Sequence, residues 1–412
     1  MSFILRLTLA VIIFFAIEFY FYKKVQSTLT SIFPNFSIKK IKLILRIYFS
    51  VTNIYPLLLV SYWIYLMISG SGRWSGIENS LWDWLIVYPF WASALIILQT
   101  IVFFIPIDLL KLILYPFYRN CFNAVKKRVA FINLTILLVF ILYIPIRIIY
   151  DYNSVSTRIT NLELKNLPED LQNFKIAFIS DTQADWYTDE TRLNGFLDKV
   201  NQTNPDLILI AGDVITGTPD YINTATKALG KLKAPYGVYS CVGDHDNWAY
   251  RQDNARSLRE ISSALESNEI KMVDNENKII RVDSSAIKIS FVTYTYAKRI
   301  DESTLSNLTE NNHQHDVDVF LTHQPNEFMI DFANDKGYDL FLAGHTHGGQ
   351  LTLFFPFFNL TPTLLETNYV KGDFLLDNMK IIVTRGLGMS LAPTRYNSTP
   401  EIVVIILQNK GL

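Results

Sequence analysis

Residues Asp339–Gln350 read DLFLAGHTHGGQ. A short apolar run that ends abruptly in glycines and polar residues is the pattern of a buried strand followed by a loop. The pattern recurs. KIAFIS (Lys175–Ser180) runs into Asp181-Thr182-Gln183, and DLILI (Asp206–Ile210) into Gly212-Asp213. Val238–Val242 runs into Gly243-Asp244-His245-Asp246, and Val317–Leu321 into Thr322-His323. Helical patterns fill Asp189–Gln202, Ile222–Lys231 and Asn254–Ser267. Further strands are expected at Lys278–Val282, Ile287–Tyr294, Lys380–Thr384 and Ile402–Leu407. Strands alternating with helices, then a strand-rich tail, define a layered α/β fold.

Such sheets place ligands outside the carboxyl ends of their strands. Four of the six histidines and four aspartates fall at these five strand ends. Carboxylates and imidazoles gathered on one rim are the donor set of a Mn, Fe or Zn site. Glycines beside them let the backbone turn sharply and approach a ligand closely. His313 and His315, in the polar stretch Glu302–Asp316, read instead as part of a solvated insertion or helix-loop. Asp246 can either orient His245 or cap a helix. Asn247 and Trp248 are candidates for a pocket rim.

Taken in order, these strand ends resemble the calcineurin-like metallophosphoesterases, whose motifs run D-x-H, GD, GNH[DE], H and GHxH. GHTHGGQ is similar to the bacterial membrane-linked branch. The resemblance spans about Lys175 to Leu407 and extends to Arg385-Gly386-Leu387-Gly388, Arg395 and Pro400-Glu401. It implies two sheets sandwiched between helices in four layers, with two metals at the sheet edge. It also implies that Asp181 and His347 hold the first metal, that Asp213 bridges, and that His323 and His345 hold the second. His245 would face the substrate phosphate as the catalytic acid. A metal-activated hydroxide would attack phosphorus in line.

Two positions depart from the family pattern. Gln183 stands where D-x-H has histidine, and Asp244 stands where GNH has asparagine. Both are retained as candidate ligands. Both shift the donor set from nitrogen towards oxygen, so two divalent ions are expected, with Mn or Fe preferred over Zn.

The first 150 residues differ in kind. They hold 14 Lys+Arg and 4 Asp+Glu, whereas residues 151–412 hold 23 and 34. Spanning a bilayer takes ~20 apolar residues in a helix. Four stretches qualify, at about Ile4–Tyr22, Ile47–Ile68, Leu81–Ile105 and Val129–Ile149. The division expected is therefore 1–150, an all-α transmembrane bundle of about four helices, and 151–412, the metallophosphoesterase domain. The segment Leu109–Tyr118 is expected to lie at the interface. Basic residues crowd the first loop (Lys23, Lys24, Lys39, Lys40, Lys42, Arg46) and the third (Lys111, Arg119, Lys126, Lys127, Arg128), while the second carries only Arg73. The positive-inside rule then puts the termini and the catalytic half outside the cytoplasm, on a multi-pass protein of the inner or plasma membrane. Trp63, Trp74, Trp82, Trp84 and Trp91 suit an aromatic belt or packing between helices.

LTLFFPFFNL (Leu351–Leu360) follows the last metal motif directly. It reads either as an apolar lip for bilayer or acyl chain, or as a core strand and packed loop. The function expected is hydrolysis of a phosphodiester, pyrophosphate or lipid-linked phosphate beside the lipid bilayer. An acidic catalytic half argues against nucleic acid as partner. The alternative is a catalytically weak or inactive metal- or phosphate-binding sensor or scaffold, motivated by Gln183 and Asp244. A transporter is disfavoured, because Arg6, Glu18, Arg46, Asp83, Asp108 and Arg147 lie near span ends rather than midplanes. Nothing in the sequence points to an oligomeric state, and Cys121 and Cys241 form no disulfide framework.

Overall fold

Apolar residues dictate a different solution in each half of the chain. The computed structural model describes residues 3–69, 77–310, 315–390 and 392–411. It divides into two compact units, Met1–Tyr150 with Leu353–Leu360, and Asp151–Thr352 with Thr361–Leu412.

The first unit is helical: α1 (Phe3–Ile32), α2 (Ile38–Thr52), α3 (Ile54–Ser69), α4 (Ser80–Trp82), α5 (Tyr88–Tyr118) and α6 (Phe122–Asn153). Among the described residues, two stretches, Ile38–Tyr62 and Ser80–Asn153, are long and apolar enough to cross a membrane. The third and fourth expected spans both fall in the second stretch, because a single 3-10 turn at Arg119–Cys121 joins α5 to α6. Leu109–Tyr118, expected at the interface, is the last part of α5, which runs on through Pro106 and Pro116. Arg73, Trp74 and His313 lie outside the described residues, as does the side chain of Trp63. Phe21, Val25, Ile97, Ile101, Phe104 and Leu137 form this unit's apolar core. Two buried or half-buried carboxylates on the helices have local partners. Glu18 accepts from Asn53 at 3.0 and 3.2 Å, and Asp108 pairs with Lys24 and accepts from Tyr20 at 2.8 Å.

The second unit contains two six-stranded sheets. The first comprises β1 (Ser156–Leu164), β2 (Lys175–Ile179), β3 (Leu207–Ile210), β4 (Val238–Cys241), β5 (Ile270–Val273) and β14 (Glu401–Asn409), in the order β1-β14-β2-β3-β4-β5. The second comprises β6 (Glu276–Val282), β7 (Ser285–Val292), β8 (Val317–Thr322), β9 (Leu340–Ala343), β12 (Gly372–Leu376) and β13 (Met379–Val383), in the order β12-β13-β9-β8-β7-β6. β2, β3 and β4 run parallel, and so do β7, β8 and β9.

Alternation within each strand serves both faces of its sheet. Ile176 and Phe178 point into the core between the sheets, against Ile289, Phe291 and Leu321. Ala177 and Ile179 point outward, against Leu193, Phe196 and Leu197 of α7 (Glu190–Gln202), Ala225 and Leu229 of α8 (Ile222–Leu229) and Ile261 of α9 (Asn254–Glu266). Phe320, Phe341 and Ile381 cover the other outer face, against Leu305 of α10 (Glu302–Leu308) and Met329 and Ile330 of α11 (Glu327–Asp335). The unit is thus four layers, helices, sheet, sheet, helices. The run expected either as a lip or as a core strand and packed loop forms a two-stranded hairpin, β10 (Leu353–Phe355) and β11 (Phe358–Leu360). Linear division of the chain at residue 150 assigned this run to the catalytic half, but it groups with the helices.

Candidate metal centre

Each strand end delivers one or two polar side chains. Asp181 and Gln183 follow β2, Asp213 follows β3, and Asp244 and His245 follow β4. His323 follows β8, and His345 and His347 follow β9. The loops keep pairing beyond the strands: Asp181 N–H donates to Gly212 O at 3.0 Å, and Gln183 N–H to Asp213 O at 2.9 Å. Asp181, Gln183, Asp213, His345 and His347 all sit at positive φ, between 40° and 67°. Non-glycine residues enter that region at an energetic cost that the surrounding packing must offset, and such residues cluster at functional sites. Two glycines make the crossing possible. A Cβ on Gly212 would lie 2.4 Å from Gly243 N, and one on Gly243 would lie 2.2 Å from Asp213 N and Oδ1.

The side chains converge in two groups that share His323. Asp244, His323 and His345 each offer a donor atom within 4.8 Å of the others, and so do Asp181, Asp213 and His323. His323 Nε2 stands 3.4 Å from Asp213 Oδ2 and 3.3 Å from Asp244 Oδ2. His345 Nδ1 stands 2.9 Å from Asp244 Oδ2. His347 Nε2 faces Asp181 Oδ1 across 3.6 Å.

Gln183 donates through Nε2 to Asp213 Oδ2 at 3.0 Å, which leaves its carbonyl oxygen buried without a partner. Asp181 Oδ1 is also buried and unpartnered. An unmatched buried acceptor is destabilising unless something neutralises it. Two such oxygens, beside the Asp213 carboxylate and His347, fit a divalent cation, and Gln183 fits as a donor to it.

Hydrogen bonding sets the tautomers. His323 Nδ1–H donates to Ala211 O at 2.6 Å, leaving Nε2 free to face the carboxylates. His345 turns Nδ1 inward and sets Nε2 3.3 Å from Glu366 Oε2, with Tyr296 Oη at 3.4 Å. A carboxylate behind an imidazole is the usual support of a metal-ligating histidine. His245 donates Nδ1–H to Thr216 O and presents Nε2, 3.4 Å from Ser390 Oγ, with the Trp248 ring 4.7 Å away. Arg395, fully buried, donates to the carbonyls of Gly388, Arg385, Ser398 and His347, and its Nη2 lies 3.2 Å from His347 Nδ1.

The electrostatics are those of a cation site. Burial opposes ionisation of Asp213 and Asp244, yet the neighbouring histidines hold both carboxyls below the ordinary range. Burial, reinforced by Asp213, raises Asp181. Burial also opposes protonation of His323 and His345, but the carboxylates raise His323 well above its ordinary value and bring His345 to about 9. His347 goes the other way, pushed well below by burial and the Arg395 guanidinium. Buried negative charge here binds protons when nothing else is bound, and a divalent ion would replace them.

Among the other residues singled out in the sequence, Asp246 neither orients the His245 ring nor only caps a helix. It accepts the N–H groups of Gly243, Asp213 and Val214 at 2.8, 3.0 and 2.8 Å, tying two strand-end loops together. Asn247 is buried and holds Gly243 O at 2.9 Å, so it supports a loop rather than lining a rim. His315 faces Asp318 at 3.6 Å, remote from the cluster in the contacts it makes. Sequence reasoning missed Glu366, Tyr296 and Gln324, which donates to Asp244 Oδ2 at 2.8 Å. All three lie outside the short motifs. The apolar-to-polar switch at a strand end, which exposed the others, does not mark them.

A buried carboxylate–imidazole cluster at the carboxyl ends of the parallel central strands of two packed mixed sheets is the arrangement of a metallohydrolase. Comparison with known proteins agrees. The profile of the calcineurin-like phosphoesterases matches residues 174–349. The uncharacterized metallophosphoesterase YkuE of Bacillus subtilis is 30% identical over 250 residues, covering 59% of this chain and 82% of that protein. An uncharacterized metallophosphoesterase of Campylobacter jejuni is 26% identical over 312 residues, 74% of this chain and 76% of its own length. A Bos taurus protein named as a transmembrane protein with metallophosphoesterase domain is 25% identical over 59% of this chain and 54% of its own. The chain belongs to the calcineurin-like phosphoesterase family and is a metal-dependent phosphoesterase.

Proposed function

We propose that this protein is a membrane-anchored phosphohydrolase that cleaves a phosphoester at a centre of two divalent cations, Mn or Fe in preference to Zn. The observation that carries the reading is the convergence of Asp181, Asp213, Asp244, His323 and His345 within bonding reach of two points, with unpartnered oxygens on Asp181 and Gln183. Asp181, Gln183, Asp213 and His347 would hold one ion. Asp213, Asp244, His323 and His345 would hold the other. Two such ions would polarise phosphoryl oxygens and lower the pKa of a water between them. The preference for Mn or Fe follows from the oxygen-rich donor set that Gln183 and Asp244 create.

The chain's own residues do the rest. Asp213 accepts the His245 N–H at 2.8 Å, which fixes the loop that carries the catalytic histidine. With Nδ1–H held by Thr216 O, a protonated His245 offers Nε2–H to the oxygen that leaves phosphorus. Glu366 and Ala211 O hold the rings of His345 and His323 in the tautomers that turn a lone pair inward.

The helical half is read as a multi-pass anchor of about four spans in the inner or plasma membrane. Its loop charges favour an extracytoplasmic catalytic domain. The lipid bilayer is then one partner and a phosphoester substrate, lipid-linked within reason of this placement, the other. Nucleic acid is not expected of so acidic a catalytic half.

The test is hydrolysis of bis-p-nitrophenyl phosphate by the full-length protein, stripped by chelator and reloaded with Mn²⁺, Fe²⁺, Zn²⁺ or Mg²⁺. Mn²⁺- or Fe²⁺-dependent turnover that His245→Ala lowers by about 10²-fold or more, without loss of bound metal, supports the reading. Absence of turnover with every ion refutes it.

A further inference from the structure

The hairpin of β10 and β11 pairs Leu353 with Leu360 and Phe355 with Phe358, and turns at Pro356-Phe357. A two-stranded hairpin leaves an outward row of unpaired backbone groups. Here that edge is closed by a side chain. Gln99 of α5, fully buried, accepts Phe354 N–H at 3.0 Å and donates Nε2–H to Phe354 O at 2.8 Å. One carboxamide thus acts as a third strand one residue long. Rings of Phe103, Phe140 and Tyr143 surround Phe354 at centroid distances of 5.9, 6.1 and 6.4 Å. Non-helical backbone survives at bilayer depth only where protein groups satisfy it, and Gln99 provides that satisfaction.

The tip is the opposite of closed. Phe357 is 89% exposed and Phe358 51%. The hairpin carries one polar side chain, Asn359. The hairpin packs on α5 through Phe355, whose ring lies 5.5 Å from that of Phe103, and α5 is part of a stretch apolar and long enough to cross a membrane. In the second unit, the residues that precede and follow the hairpin in sequence bond the loop that carries His347: Thr361 Oγ1 donates to Gly349 O at 2.8 Å, and Thr352 Oγ1 to Gly348 O at 3.4 Å. In the chain, Leu353 follows His347 by six residues.

We infer that the hairpin is a finger embedded among the acyl chains of the bilayer, and that it restricts the metal centre to phosphoesters carried on a membrane lipid. The inference rests on the phosphohydrolase reading for its second half and stands apart from it for the first. Acyl chains are the occupant because the tip offers aromatic surface without charge, next to a helix surface of the same character.

Two measurements test it on the full-length protein in lipid nanodiscs. In the first, a nitroxide is attached at Phe357→Cys in a Cys121→Ser background; Cys121 is exposed and Cys241 buried. The label should collide with dissolved oxygen in preference to a water-soluble nickel chelate, as a label on the exposed α6 position Leu142→Cys does. A label that prefers the nickel chelate overturns the finger. In the second, hexadecyl p-nitrophenyl phosphate and methyl p-nitrophenyl phosphate, which share a leaving group and differ in tail, are compared with Mn²⁺. The ratio of their kcat/KM values should favour the long tail and fall at least about tenfold in Phe357→Asp, the effect of one aromatic side chain lost from apolar contact. A ratio unmoved by Phe357→Asp overturns the substrate restriction. Absence of hydrolysis of either ester instead overturns the phosphohydrolase reading, while the nitroxide result still decides the finger.

Discussion

Glu366 stands behind His345 at 3.3 Å, and the His345 bond in turn holds the Glu366 carboxyl below its ordinary range. Glu366→Gln keeps the shape and removes the charge. Mn²⁺ affinity is expected to fall about tenfold, measured by calorimetric titration of the metal-free protein. The protonation of His345 makes a second prediction with a definite sign. Its value rises from 6.5 to about 9 in the folded, metal-free protein. The proton therefore stabilises that form fully below pH 6.5, and the contribution is lost as pH rises through 9. Binding of Mn²⁺ must expel this proton, so affinity should climb from pH 7 to 9 and then level off, with proton uptake by buffer measured in the same titration. An affinity independent of pH over that window contradicts the assignment. At this scale a motif marked the position of each residue that converges: Asp181, Asp213, Asp244, His323 and His345 lie in two groups, His347 faces Asp181 and Gln183 bonds Asp213, while their roles as ligands await the metal titration. Glu366 and Arg395 act from loops that no periodicity marks, so their roles become visible only when the chain is folded around them.

Strand ends build the centre by crossing at close quarters, and the element most sensitive to that is the turn after β4. Gly243→Ala places a methyl 2.2 Å from Asp213 N and Oδ1. Turnover of a soluble phosphodiester should drop on the order of 10²-fold, the effect of displacing a reacting group by about 1 Å, with far-UV circular dichroism unchanged. Elements with a strong internal signal were legible in advance. β2, β3 and β9 are continuous apolar runs because both faces are buried, and α7 to α9 are amphipathic helices between them. β1 and β12 were not, because as edge strands they alternate exposed and half-buried residues, and a mixed sequence such as STRITNLEL resembles a loop until a neighbour pairs with it. The hairpin was ambiguous for another reason. Phenylalanines state only that an environment is apolar, and the partner that decides which one, Gln99, lies 255 residues away in sequence.

At the scale of the molecule, a basic apolar half and an acidic α/β half carry separate tasks, and the eight residues Leu353–Leu360 belong by packing to the first and by sequence to the second. Charge asymmetry and span counting are what the sequence offers for that division. The span count itself was less so, because hydropathy cannot tell two helices joined by a 3-10 turn from one long apolar run. The claim on which everything else depends is that one chain grips two cations through a shared Asp213. Electron paramagnetic resonance of the chelator-stripped, full-length protein titrated with Mn²⁺ tests it directly. The account predicts saturation at two ions per chain, with the signal of a spin-coupled pair that Asp213→Asn abolishes. Saturation at one ion, or two ions with independent, uncoupled spectra, would contradict it.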